Sequence, residues 1–251
     1  MKISDIYSFL DELSPFSLQE KWDNSGLLVG SMSDEIENVY ISMDLDLDLV
    51  KTLKNNSLVI THHPLIFSGL KKINYDTYAT KILKELIKKD ICLISMHTNI
   101  DKTHLNRFVV EDILGFKIKN SQEFIAYCDV NMSFKELEKY VCEKLDLKLT
   151  KSVKCSDFIK DIAVVTGSAM SLLDEVKADC FLTGDIKYHD AMEAKARGVS
   201  LIDIRHYESE NYFSVLLEGL LKEYLKKNEL KAIISASQNP FKFFIEGETV
   251  E

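Results

Sequence analysis

Short apolar runs and longer segments of helical period alternate along the chain. NVYISM (38–43), SLVIT (57–61) and ICLISM (91–96) are continuous apolar or β-branched runs ended by polar residues, the pattern of strands buried on both faces. Before the third of them, YDTYATKILKELIKKD (75–90) places Tyr78, Ile82, Leu83, Leu86 and Ile87 at three- and four-residue spacings with lysines opposite, which predicts an amphipathic helix. A second series repeats the alternation: IKDIAVVTG (159–167), DCFLTG (179–184) and VSLIDI (199–204) as strands, with helices over 169–177 and 187–197. Gly198, after Lys195 and Arg197, reads as a helix C-terminal cap. The stretch 123–154 reads as strand, amphipathic helix, strand. This alternation predicts an α/β protein with mostly parallel or mixed sheets. A soft boundary at KIKNSQ, near 118–122, divides it into an N-terminal domain (1–120) and a C-terminal domain (121–251), with interleaving allowed.

The two series end alike. In the first, a strand runs into THHP, a helix follows, and the next strand runs into HTNID; in the second, a strand runs into TGDIKYH, a helix follows, and the next strand runs into RHYESE. Both place histidines and carboxylates just beyond strand C-termini, the edge at which open parallel sheets bind ligands. The expectation is a metal site between the two domains at that edge.

Neighbouring strand residues point to opposite faces, so His62 and His63 reach one ion together only where the backbone leaves strand geometry. Pro64 holds His63 extended, and diverging imidazoles suit two neighbouring ions. The ordinary reading is one core histidine and one solvated one. Asp101 lies four residues after His97; it suits a carboxylate ligand, but taken alone it reads first as an N-cap for the helix KTHLNRFVVEDIL. His206 and Glu210 are four apart and share a helix face if the helix continuing through NYFSVLLEGLLKEYLKK begins there; an exposed histidine near a helix start is the plain alternative. The chain has only 6 histidines, and these segments hold four of them at strand ends. His62, His63, Asp101, His206 and Glu210 form a nitrogen and carboxylate set without thiolate, which favours two divalent ions such as Zn, Mn, Fe, Co or Ni, with Glu210 as the bridge. His97 is assigned to holding a ligand in orientation, and His189, after Asp185, Lys187 and Tyr188, to orienting substrate or shuttling a proton. His189 is read equally well as a surface residue opening a helix.

Composition narrows the partners. With 31 basic against 40 acidic residues in 251, the net charge of −9 argues against nucleic-acid backbone and anionic membrane as partners; a phosphorylated small molecule requires a metal to supply positive charge. The 5 cysteines form no CxxC, which suits reduced, mostly buried thiols in a cytoplasmic protein. Asp5, Asp11 and Glu12 interrupt any signal-peptide core, and no apolar run approaches a membrane span. Asp44, Asp46 and Asp48 imitate a calcium loop but lack its Gly and Glu; they read as a strand-end aspartate followed by an N-cap and first-turn charge. The Leu-Leu-Val-Gly and Thr-Gly-Asp segments lack the spacing of a phosphate-cradling loop.

THHPLIF, SMHTNID, DCFLTGDIKYHDAMEA and IDIRHYESE, with WDNSGLLVG at Trp22 to Gly30, closely resemble the signature segments of the dinuclear-metal-centre family of GTP cyclohydrolase 1 type 2 homologues, or NGG-interacting-factor-3-like proteins, in its short form. The resemblance implies that His62, His63, Asp101, His206 and Glu210 are the metal ligands, in two α/β domains assembled as a ring-shaped homohexamer. It also implies GTP as substrate, attacked at purine C8 with release of formate. A hydroxide bridging the two ions, its pKa lowered towards ~7, would be the nucleophile. Two readings stand beside it: a metal-delivery protein or regulatory scaffold without turnover, and a phosphoester hydrolase. The family usually has Gly before the last ligand histidine, where this chain has Arg205.

Overall fold

The structure, a computed structural model, describes residues 1–235, 237–245 and 248–250. The chain divides into two compact units: Met1–Thr103 with Phe213–Gln238, and His104–Tyr212 with Asn239–Glu251. The strands in chain order are β1 Gly26–Val29, β2 Asn38–Ser42, β3 Ser57–Thr61, β4 Cys92–Ser95, β5 Ile118–Gln122, β6 Ile125–Ser133, β7 Ser152–Val153, β8 Phe158–Val164, β9 Cys180–Thr183, β10 Ser200–Asp203, β11 Ala232–Ile234, β12 Phe243–Ile245 and β13 Glu248–Val250.

In the first unit the sheet order is β1-β4-β3-β2-β11, with β4, β3, β2 and β11 parallel and β1 antiparallel at the edge. Every residue of β3 and β4 is buried, as expected for central parallel strands covered on both faces. The helix Tyr78–Lys88 buries Ile82, Leu83 and Leu86, and Val59, Leu93, Val50 and Leu53 join Ile82 and Leu86 in one core cluster. Register pairs Ser42 with Thr61 and Thr61 with Ser95, so the three strand ends stand level.

In the second unit the order is β5-β6-β8-β9-β10-β7, with β8, β9 and β10 parallel and the outer strands antiparallel. Phe181, Leu201, Ala163, Tyr127 and Ala194 lie at its core. Thr183 pairs with Asp203, so β9 and β10 also end level. The parallel pairs β3–β4 and β9–β10, each enclosing a helix, are the two similar series of the sequence.

The boundary expected near 118–122 lies inside the second unit, where those residues form β5. The first unit is completed instead by Phe213–Gln238: the helix Phe213–Lys227 buries Phe213, Leu217, Leu221 and Leu225, and β11 extends the sheet beside β2. That return is a tertiary choice that local pattern does not encode. The helix expected over 169–177 is a 3₁₀ segment, Met170–Glu175, and the strand expected before 154 shortens to Ser152–Val153. Gly198 does cap its helix, in left-handed conformation at φ 75°. Among the described residues no helix is long and apolar enough to cross a membrane.

Candidate metal centre

In the first unit, the chain turns at the end of β3 because the N–H groups of His62 and His63 both donate to the carbonyl of Met43, each at 3.1 Å. The turn takes the pair out of strand geometry, and the rings lie 4.9 Å apart at 46° instead of on opposite faces. His62 Nδ1 donates to the Met96 carbonyl at 2.9 Å, His63 Nδ1 to Asp44 Oδ1 at 2.9 Å and His97 Nδ1 to Asp23 Oδ1 at 2.8 Å. Carbonyl and carboxylate oxygens accept, so Nδ1 carries the proton and Nε2 the lone pair in all three rings. Each ring contributes a nitrogen to a group lying within 4.8 Å of one another. Asp101 Oδ1 is 3.6 Å from His62 Nε2. That exceeds a hydrogen bond, whereas two donors at ~2.1 Å from one tetrahedral ion sit roughly 3.4 Å apart. The donor set therefore fits a borderline divalent cation.

Asp101 is not an N-cap. The helix starts at Thr98, and Asp101 lies within it at φ −58° and ψ −49°, opening a wide π-type turn over Asp101–Leu105. The capping acceptor comes from far away in sequence: Asp23 takes the Thr98 N–H at 3.0 Å and the Thr98 hydroxyl as well. Burial pushes the Asp23 pKa up, but the hydrogen bond and charge of His97 and the bond from Thr98 outweigh it and hold the carboxyl well below the usual range.

In the second unit, His206 and Glu210 open and close the short helix His206–Glu210, with His206 Nε2 2.9 Å from Glu210 Oε2. This is a separate helix rather than the start of Phe213–Lys227. His206 Nδ1 donates to Asp185 Oδ2 at 2.7 Å, the same anchoring as in the other unit. Two glycines at the ends of β8 and β9 make room. A methyl on Gly167, which has φ +65°, would fall 1.9 Å from Glu210 Oε1; one on Gly184 would fall 2.7 Å from Arg205 C and His206 N. Gly167 N–H also donates to Ser209 Oγ at 3.0 Å, locking the helix against this turn. Asp185 follows in left-handed conformation, which aspartate tolerates better than most residues.

Arg205 sits at φ 62° and ψ 151°, a region that is essentially glycine's. The turn is one that suits glycine, and the arginine bears the strain. Its N–H donates to Asp203 Oδ1 at 2.9 Å and its guanidinium lies 3.7 Å from the Phe243 ring centre. Arg205→Ala keeps the strain and loses the ring contact; Arg205→Gly removes the strain. The glycine variant is expected to be more stable than the alanine variant by about 1–2 kcal/mol, read from denaturant midpoints. Equal stabilities, or the reverse order, refute a strained turn.

The structure brings His62, His63 and Asp101 together in one unit and His206 with Glu210 in the other. His97 joins the first group as a further imidazole, oriented by Asp23. His189 lies exposed on the first turn of the helix Tyr188–Arg197, beside Tyr188. Sequence reasoning left Asp23 without a role, read Asp44 as a strand-end residue and named Asp185 only as a neighbour of His189. Their signal was present: each follows or precedes a strand end, as do the histidines they hold. Asp44→Asn and Asp185→Asn are each expected to weaken metal affinity about 10- to 100-fold in chelator competition, with unfolding midpoints unchanged. Wild-type affinity in both variants contradicts this assignment.

The chain matches the family Duf34/NIF3 (NGG1p interacting factor 3) over residues 1–240. A Campylobacter jejuni protein named GTP cyclohydrolase 1 type 2 homolog is 51% identical over 97% of this chain and 100% of its own length. A Helicobacter pylori protein named GTP cyclohydrolase 1 type 2 is 42% identical over 88% of this chain and 92% of its own. Among solved structures, a Staphylococcus aureus hypothetical protein superposes with TM-score 0.84 at 30% identity, covering 97% of this chain and 99% of the other. On the family match and these identities, the chain belongs to the Duf34/NIF3 family.

Proposed function

We propose that the protein is a dinuclear-metal-dependent hydrolase in which His62, His63 and Asp101 from one unit and His206 and Glu210 from the other hold two divalent ions, drawn from Zn, Mn, Fe, Co and Ni. What carries the reading is one observation: each of these histidines has Nδ1 anchored by a carbonyl or carboxylate, the arrangement that gives an imidazole one fixed ligating nitrogen. Bound in such a site, the ions supply an acidified water and stabilise negative charge developing on the substrate. The chain's own groups do the rest. Asp44 and Asp185 fix ring orientation, Glu210 would supply the carboxylate that holds the ions, and His97, its Nδ1 proton held by Asp23, would hydrogen-bond substrate or water through Nε2. His189 is the proposed proton shuttle nearer the solvent.

The names of the relatives support a nucleotide substrate, GTP; in this reading hydrolysis would fall at purine C8 with release of formate. In the same reading the protein is cytoplasmic, binds no nucleic acid or membrane, and assembles as a homohexamer, which sedimentation checks. The experiment incubates metal-loaded protein with GTP and follows formate and loss of purine absorbance against a His62→Ala, His63→Ala variant. Turnover in the wild type alone supports the cyclohydrolase. Turnover of phosphoesters but not GTP makes it a phosphoesterase. Bound ions that pass readily to an acceptor, with no turnover across a substrate panel, make it a metal-delivery or scaffold protein.

A further inference from the structure

Trp22 and Phe67 form an exposed aromatic pair at the margin of the first unit's histidine group. Trp22 is 57% exposed and Phe67 49%, and their rings lie 5.8 Å apart at 36°. Both meet the His97 imidazole steeply, at 6.0 Å and 75° for Trp22 and 6.4 Å and 70° for Phe67. His97 in turn lies edge-on to His62 at 5.1 Å and to His63 at 5.4 Å. A continuous set of ring contacts therefore connects the ligating imidazoles to two large rings standing in water.

The backbone carrying these rings is held by hydrogen bonds. Asn24, two residues after Trp22, donates from Nδ2 to the carbonyl of Ile66, which precedes Phe67. Asp23 is bonded to His97 and Thr98, and Ser25 Oγ accepts the His97 N–H at 3.1 Å while donating to Asp23 Oδ2. Gln19 Oε1 takes the Ser25 N–H at 2.7 Å. The backbone beside both rings is thus tied to the other loop and to the histidine group, which lowers the ordering cost of binding. A fixed pair of exposed π-faces suits flat heteroaromatic rings, since stacking needs no match of donors and acceptors, whereas an aliphatic ligand would call for aliphatic walls.

We infer that Trp22 and Phe67 are positioning residues that stack the purine base of the substrate beside the metal ligands. The inference deepens the hydrolase reading and rests on it for the role of the ligands, but stacking itself does not require the ions. Trp22 is the chain's only tryptophan, so indole fluorescence reports on this spot alone. The probes are guanosine 5′-monophosphate and, as control, ribose 5-phosphate, each titrated into full-length protein with and without loaded divalent ion, with metal content measured on the same samples.

Guanosine 5′-monophosphate is expected to quench saturably and ribose 5-phosphate not at all. Phe67→Ala and Phe67→Leu are both expected to weaken the guanosine titration about 5- to 100-fold, and Phe67→Tyr to restore it. The inference is overturned by absent saturation, by equal quenching from ribose 5-phosphate, or by wild-type affinity in Phe67→Leu, which would make the contact merely apolar. It is also overturned if the ligand-free protein emits as a buried indole, since another copy of the chain would then cover the pair. Ions bound without base-dependent quenching sink this inference and leave the metal reading standing. Quenching by the base in protein that takes up no metal does the opposite.

Discussion

Gly167→Ala is expected to remove at least one equivalent of bound metal from a protein that still folds. The alanine methyl would enter 1.9 Å from Glu210 Oε1 and 2.9 Å from its Cδ, and the backbone there, at φ +65°, disfavours any side chain. Glu210 is buried, so its carboxylate must rotate away from His206 to relieve the clash. The left-handed backbone and the overpacking together cost about 2–3 kcal/mol of stability. Elemental analysis reads the metal, and denaturation in chelator reads the stability. Gly219→Ala is the control: it lies in the helix Phe213–Lys227 with nothing within 4 Å of the added methyl, and is expected to stabilise by up to about 1 kcal/mol with no change in metal content. Full metal occupancy with wild-type affinity in Gly167→Ala removes Glu210 from the ligand set.

Glu210→Gln is expected to act in opposite directions on metal and on the metal-free fold. The amide keeps the volume that fits against Gly167 but has one acceptor oxygen and no charge. Affinity is expected to fall about 100-fold or more, with loss of one ion or both, because a neutral amide is a poor bridge between cations. In chelator, the variant is expected to be at least as stable as the wild type, since a buried carboxylate is replaced by a neutral group. Loss of metal together with a large loss of chelator-state stability would instead make Glu210 a structural residue. The contrast between the two curves separates binding from folding.

The parallel strands were legible in the sequence because a strand buried on both faces leaves an uninterrupted apolar run, and SLVIT is β3 residue for residue. β1 was not. It is a short, half-buried edge strand between Gly26 and Gly30, both at positive φ, and such a segment has neither alternation nor an apolar run. At the site, His62 and His63 were legible as a motif, whereas the groups that orient the rings were not. Asp44 lies 19 residues from His63, Asp185 21 from His206 and Asp23 74 from His97, and only the register of neighbouring strand ends decides that they meet. Asp101 shows the same limit from the other side. It has the residue type and spacing of a local cap, but the orphan amide at the helix start is satisfied by Asp23, and the helix begins at Thr98, four residues earlier than a cap at Asp101 implies. Gly184 of Thr-Gly-Asp was set aside as unsuited to phosphate; its use is to admit a backbone turn, as Gly167 admits a carboxylate, where any methyl would collide.

The return of residues 213–238 to the first unit has a consequence for biosynthesis. As the nascent chain leaves the ribosome, β2 remains an open parallel edge until β11 emerges some two hundred residues later, whereas β5 to β10 lie within one unbroken stretch. The sheet encoded second is therefore the one able to close first, and the earlier sheet spends most of translation with an unprotected flank that chaperones have reason to cover.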